Sequence, residues 1–322
     1  MKQLRATMAA IVVLAMAAPA LADEWPSRPV RMVNTFAAGG TADVLTRLVA
    51  DQLSATFKQQ FFVETRAGAA GTIGVKSVAD SAPDGYNFAL TNITHLVLAP
   101  ISNPRLGYDP KRDLTNIGYV AGSPIVLSVS ANGNIKTLKD FIDQGRDSTQ
   151  KPLTYSSSGV ASSGQLVAED FAKKAGIKIE HVPYKGASQG LTDLAGGHIV
   201  FSAQTLSSTA ALVRGGQLRA IAHSHSSRLP DFPEVPTLKE SGYDVVATTW
   251  FSISGPANLP KDVTEKVNRE IARAVSNPEA QARLRRDGLI AEIMSVDELS
   301  KYIDAETARW RPVLDQLGLI GK

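Results

Sequence analysis

Hydrophobic and polar positions along this chain follow two alternating periods. Short apolar runs of strand length fall at 30–36, 60–64, 88–91, 125–130, 153–156, 179–183, 199–203 and 219–222. Between them lie segments of helix length at 41–57, 73–81, 138–144, 163–175, 190–195 and 207–215, where apolar residues return every three or four positions. Strands show alternate residues to one face, whereas helices return to the same face at each turn, so the two periods separate the elements. Their alternation predicts an α/β fold, with parallel sheets, helices on both faces and short connections. At 322 residues, two domains are expected.

The last third departs from that rhythm. Pro230, Pro233 and Pro236 precede an extended stretch at 245–254 that holds Trp250 and Phe251. Pro256 and Pro260 then lead into a helix whose Val263, Val267, Ile271 and Val275 share one face. A closing helix from about 296 places Leu299, Tyr302 or Ile303, Glu306, Trp310 and Leu314 at helical spacing, with Trp310 read as a core anchor.

The amino terminus bears on compartment. Lys2 and Arg5 precede an apolar stretch at 8–18 and the small-residue site Ala20-Leu21-Ala22. This reads as a secretory leader cut after Ala22, and no later segment reaches the ~20 apolar residues of a membrane span. A periplasmic location is expected. With the leader go two basic residues, leaving 32 basic against 31 acidic, so the chain has no electrostatic footprint for nucleic acid. There is no cysteine, so no disulfide contributes and the core must hold the fold.

Chemistry gathers at the ends of the expected strands. Phe36-Ala37-Ala38-Gly39-Gly40-Thr41-Ala42-Asp43 leaves one strand and opens a helix, whose first amides lack helical partners and carry the positive end of its dipole. Such a turn suits an anion, although it also serves as a plain connection. Gly68-Ala69-Ala70-Gly71-Thr72 repeats the device. It lacks the Lys-Ser/Thr pair of a phosphate loop and the dinucleotide fingerprint. Thr91 and Asn92 end the next strand, Ser157-Ser158-Gly159 and Ser162-Ser163 lead into a middle helix, and Tyr184-Lys185-Gly186 and Gln204-Thr205 end two more. Ligands of open α/β sheets bind beyond the carboxyl ends of strands, where these turns are expected to converge.

Taken in order, these motifs resemble the extracytoplasmic solute receptors of tripartite tricarboxylate transporters, the Bug family, across the whole mature chain. The resemblance also rests on Trp25-Pro26-Ser27-Arg28-Pro29-Val30, Pro83-Asp84-Gly85-Tyr86, Tyr108-Asp109-Pro110, Val182-Pro183, Val235-Pro236-Thr237-Leu238 and Trp310. It implies a type II, Venus-flytrap periplasmic binding protein without catalytic activity, cofactor or metal. The implied domains are 23–124 with 248–322, and 125–247, joined by crossing strands at 125–130 and 245–253. The implied ligand is a small organic carboxylate, gripped by the turns at 36–43 and 68–72 and closed over by the later ones. The implied partners are membrane transporter subunits, with the receptor itself a monomer. Ala38 and Ala67 stand where the family usually has proline, and Gln165 where a histidine is common. Gln204 replaces an aspartate frequent in relatives, which favours a ligand without an amine.

Individual residues keep more than one reading. Asp43 is placed either to cap its helix, with Arg47 one turn on, or to meet ligand. Lys185 offers a cation for a second carboxylate or a solvated side chain. His223 and His225 share a strand face but have no third metal ligand in view. A signalling sensor would need the same ligand-gated closure. An exported hydrolase using Ser158, Ser162 or Ser163 is the remaining alternative, although the G-x-S-x-G elbow is absent.

Overall fold

The computed structural model describes residues 25–147, 149 and 151–321, so the leader expected at 1–22 lies outside the described residues. The nine strands among them are β1 (Val30–Asn34), β2 (Phe61–Thr65), β3 (Asn87–Asn92), β4 (Leu114–Ser130), β5 (Leu153–Ser157), β6 (Ile179–Pro183), β7 (Phe201–Thr205), β8 (Leu218–His223) and β9 (Thr248–Pro256). Their hydrogen-bonded order is β2-β1-β3-β9-β4-β7-β5-β6, with β8 on the free side of β4. β1 pairs in parallel with β2 and β3, and β5 with β6 and β7, as the alternation with helices requires.

β4 joins two lobes. From Leu114 to Pro124 it pairs antiparallel with β9, and from Ile125 onward it pairs with β7 and β8. The expected crossing at 125–130 is thus the second half of a 17-residue strand. The first half was hidden in the sequence by Gly118, Gly122 and Pro124, which read as turn residues; the ladder takes up the irregularity in register shifts after Asn116 and Tyr119. The other expected crossing, at 245–253, differs. β9 begins at Thr248 and stays in the first sheet, while the return from β8 runs through 224–247 outside any named strand. Its prolines cannot sustain a ladder, so it docks by single bonds instead. The amide of Leu238 donates to the His223 carbonyl, and that of Ala247 to the Ser224 carbonyl.

Burial follows the predicted faces. Leu45, Val49 and Leu53 of helix Thr41–Phe57 meet Val263, Val267, Ile271 and Val275 of helix Lys261–Ser276 over Phe88, Phe251 and Ile253. Tyr155 stacks on Phe201 and Phe141 on Phe171 in the second lobe, with Phe141 edge-on to Phe201. The closing helix Val296–Gln316 is held to β9 by Glu306, whose Oε2 accepts from both Trp250 Nε1 (3.2 Å) and Trp310 Nε1 (3.1 Å). Trp310 is the core anchor its spacing predicted, 5% exposed.

One feature of the second sheet runs against ordinary core chemistry. Ser156, Ser202 and Ser128 occupy paired positions across β5, β7 and β4, all fully buried, and none of their hydroxyls has a hydrogen-bond partner among the described residues. A buried unpaired hydroxyl opposes folding, whereas an alanine of similar volume carries no such penalty. Ser202→Ala is therefore expected to raise the free energy of unfolding by about 1 kcal/mol. Urea titration should show a higher midpoint at unchanged slope.

Candidate functional site

The lobes close over a cavity of about 40 Å³. Phe36, Ala37, Gly40, Thr41 and Ala42 border it from the first turn, with Asn92 and Thr94 beside them. Ser158, Ser162, Ser163, Gly164, Ala187, Gln204, Thr205 and Ser208 face them from the second lobe, and Ile125, Thr249 and Phe251 complete the wall. Four helices start at this space: Thr41–Phe57, Ser163–Ala175, Ala187–Ala195 and Leu206–Arg214. Each amino terminus carries a partial charge of about +0.5. No ionisable side chain is among the lining residues.

The first turn is braced from behind. Asp43 Oδ2 accepts from the Gly39 amide (3.1 Å), its Oδ1 pairs with Arg47 Nε (3.0 Å), and Asn34 Oδ1 accepts from the Phe36 amide (3.2 Å). Asp43 does not border the cavity, so its place is that of the helix-start brace. The amides of Gly40 and Ala42 make no hydrogen bond with other described residues. Across the gap, Thr41 Oγ1 lies 2.7 Å from Thr205 Oγ1 and 2.8 Å from Ser208 Oγ, and the Thr41 amide donates to Ser208 Oγ (3.2 Å). The Ala37 amide donates to the Lys185 carbonyl (3.4 Å), and Ser188 Oγ to the Ala38 carbonyl (3.0 Å). The two lobes are in direct contact.

Gly68, Ala69, Ala70, Gly71 and Thr72 do not border the closed cavity. This second turn is held behind its wall by His95, which the sequence reading missed. The His95 ring accepts the Asn92 amide at Nδ1 (3.1 Å), which leaves Nε2 to donate to the Ala70 carbonyl (3.0 Å). It also lies against Phe36, with ring centroids 5.4 Å apart, and so ties both Gly-rich turns to the end of β3. A side chain at Gly71, where φ is +91°, would run into this ring at 2.2 Å. Gly159 of the second lobe backs onto Ala70. The available signal was a histidine three residues beyond Asn92, at the start of a helical segment.

The remaining candidates divide. Ser158 Oγ donates to Gln204 Oε1 (2.6 Å), Ser163 Oγ meets Thr249 Oγ1 across the lobes (2.6 Å), and Ser162 caps its helix by accepting from the Gln165 amide (3.3 Å). Thr91 turns to Ser252 and Ser254, behind the cavity. Tyr184 lies outside the cavity and donates to Asp193; burial, and then that carboxylate, push its phenol up to about 12. The Lys185 side chain is exposed and outside the wall, and Gly186 packs on Ala37.

The hydrolase alternative finds no support in this arrangement. None of Ser158, Ser162 or Ser163 bonds a histidine. Their neighbour Ser157 does, 2.6 Å from His181 Nε2, and it is fully buried. His223 and His225 sit with ring centroids 6.4 Å apart, and among the described residues no group of three or more His, Asp or Glu side chains could hold a metal.

Two α/β lobes, joined by a strand that passes through both sheets and enclosing a polar cavity, constitute a periplasmic-binding-protein fold. The chain belongs to the family described as the tripartite tricarboxylate transporter family receptor, which matches residues 45–319. Protein BugT of Bordetella pertussis is 30% identical over 96% of this chain and 95% of its own length. The solved structure of Rpa4515 from R. palustris with adipate superposes with a TM-score of 0.89 at 30% identity, covering 93% of this chain and all of that one. MatC from Rhodopseudomonas palustris with bound malate gives 0.85 at 25% identity, covering 90% and 100%. The family and these neighbours are binding proteins, and the Bug-family resemblance read from the motifs stands.

Burial holds three histidines neutral in the folded protein, His95 at about 3 and His181 and His223 at about 4. In the unfolded chain each takes up a proton near pH 6.5. Stability is therefore full above about pH 7 and falls as the pH drops through about 6.5 toward about 4, by up to about 1.4 kcal/mol per pH unit for each histidine. Urea titrations across that window should show this slope, and His95→Gln should make it shallower.

Proposed function

We propose that this protein is a periplasmic receptor that captures a small organic carboxylate between its lobes and delivers it to a tripartite tricarboxylate-type membrane transporter. The observation that carries the proposal is the meeting of four helix amino termini on a cavity with no ionisable side chain in its wall. Amides and hydroxyls favour an anion there, and a carboxylate fits the unengaged amides of Gly40 and Ala42. With no acidic side chain in the wall, an ammonium has no counter-charge. Adipate and malate in the related structures support the same ligand class. The expected leader at 1–22 and the family support the periplasm.

Capture requires movement. A cavity of about 40 Å³ has room for a few waters at most, at about 10–15 Å³ each, so the lobes must part to admit an organic acid. In this reading residues 23–124 with 248–322 form one body and 125–247 the other, turning about Pro124–Ile125 and the 224–247 return. The ligand favours the closed form by touching both bodies, and the receptor acts as a monomer.

A thermal-shift screen of the mature protein against a carboxylate panel tests the reading. A ligand at ~100 times its Kd adds about 2.7 kcal/mol of stability. Gly40→Val supplies the control. At φ −96° a Cβ there meets nothing closer than 3.9 Å, and two of its three nearest atoms, in Ser208 and Ala187, belong to the facing lobe, so valine is expected to leave the first lobe folded while its methyls crowd the space between the lobes. The variant is expected to lose at least about tenfold in affinity while its own stability changes by less than about 1 kcal/mol. Unchanged affinity would place the ligand elsewhere.

A further inference from the structure

Two residues of the cavity wall, one from each lobe, carry a buried polar atom with no partner among the described residues. Gln204, at the end of β7, is 2% exposed. Ser158 Oγ donates to its Oε1 at 2.6 Å, which fixes the carboxamide and leaves the Nε2 donor unpaired. Thr94, just beyond β3, is 1% exposed, and its Oγ1 is likewise unpaired. Both residues border the same small space. Neither is needed to explain how a carboxylate is held at the first turn.

We propose that the ligand carries, beside its carboxylate, an uncharged oxygen substituent that Gln204 and Thr94 hold from the two sides of the cleft, as a short hydroxy- or keto-acid would. This rests on the carboxylate reading above and narrows it. Nε2 only donates, so the group it meets must accept; Thr94 Oγ1 either donates or accepts, which suits a hydroxyl as well as a carbonyl. An ammonium can satisfy neither Nε2 nor the surrounding helix termini, because it only donates and is positive. A methylene leaves both buried groups unpaired, and sites built to bond a ligand oxygen discriminate strongly against analogues that lack it. One oxygen reaching both residues also links the lobes, so the same contact selects the ligand and favours closure.

Calorimetric titration with three acids of one carbon skeleton tests this: succinate with no substituent, malate with a hydroxyl, and aspartate with an ammonium. Wild-type protein is expected to bind malate at least about tenfold more tightly than succinate, with aspartate the weakest. In Gln204→Leu and in Thr94→Val the lead of malate over succinate should shrink to within about threefold. Thermal melts of both variants check that they fold, and the wild-type ranking stands independently of them. Equal affinity for succinate and malate overturns the proposal, because the pair would then be reading a second carboxylate. So does a lead that survives both substitutions, or an affinity for aspartate that matches malate. If none of the three binds while another carboxylate stabilises the protein, this inference falls and the receptor reading stands. If no carboxylate stabilises it, both fall.

Discussion

A helix cannot pair its own first amides, and four helices of this protein begin at one cavity. The protein engages some of those groups itself. Asp43 takes the Gly39 amide, Ser208 the Thr41 amide, Ser162 the Gln165 amide and Ser123 the Ser207 amide. Gly40 and Ala42 are among those left, along with a summed partial charge of about two positive units from the four termini. The helix starts are brought to the strand ends by close packing. A Cβ at Gly164 would meet the Ala203 carbonyl at 2.2 Å, and one at Gly190 would meet Ser156 at 2.6 Å. Only a residue without a side chain lets those helices lie so near β7 and β5.

The contacts that hold the lobes together around this cavity are neutral. They are the hydroxyls around Thr41, the Ser163–Thr249 pair and the backbone bonds of Ala37 and Ala38. Each such bond contributes only about 0.5–1.5 kcal/mol net, because opening exchanges it for water. Arg214 and Asp287 form an ion pair across the outer surface, but at 3.8 Å and more than a third exposed it adds little. In the receptor proposed above, closure is therefore shallow, and a ligand that adds even two or three bonds shared between the lobes would shift it. β4 would restrict the proposed movement to a hinge, since one continuous strand through both sheets cannot slide without breaking its ladders.

The parts of this design that depend on local pattern were legible in the sequence. Apolar periodicity placed the strands and the long helices within a few residues. The Gly- and Ser-rich turns marked strand ends, and those at 36–43 and 157–164 do border the cavity, because turn chemistry is written in adjacent residues. Contacts between distant segments were not legible. Thr41 meets Thr205 from 164 positions away, and Thr94, Thr249 and Phe251 reach the wall only through the packing of β3 against β9. Side-chain direction was also hidden. Asp43, Tyr184 and Lys185 stand on the right turns, yet Arg47 and Asp193 draw the first two away from the cavity and solvent takes the third. β4 was half missed because Gly118, Gly122 and Pro124 carry turn signals that its long antiparallel ladder with β9 overrides.

A lysine in the cavity wall would bind an acid more strongly, and its absence has a physical logic for the receptor proposed above, which must also let go. Burying a cation costs several kcal/mol unless its partner is present, so a charged wall would resist closing on anything less than a full ion pair. Once formed, that pair would resist opening. Helix termini and neutral donors carry a smaller, fixed desolvation cost, and they offer an anion enough field to enter. On the inference drawn above, selectivity then passes from charge to hydrogen-bond matching, with Gln204 and Thr94 distinguishing an accepting oxygen from a donor or a hydrocarbon. A cleft made this way favours the acid it fits while keeping the closed state shallow enough to be reversed.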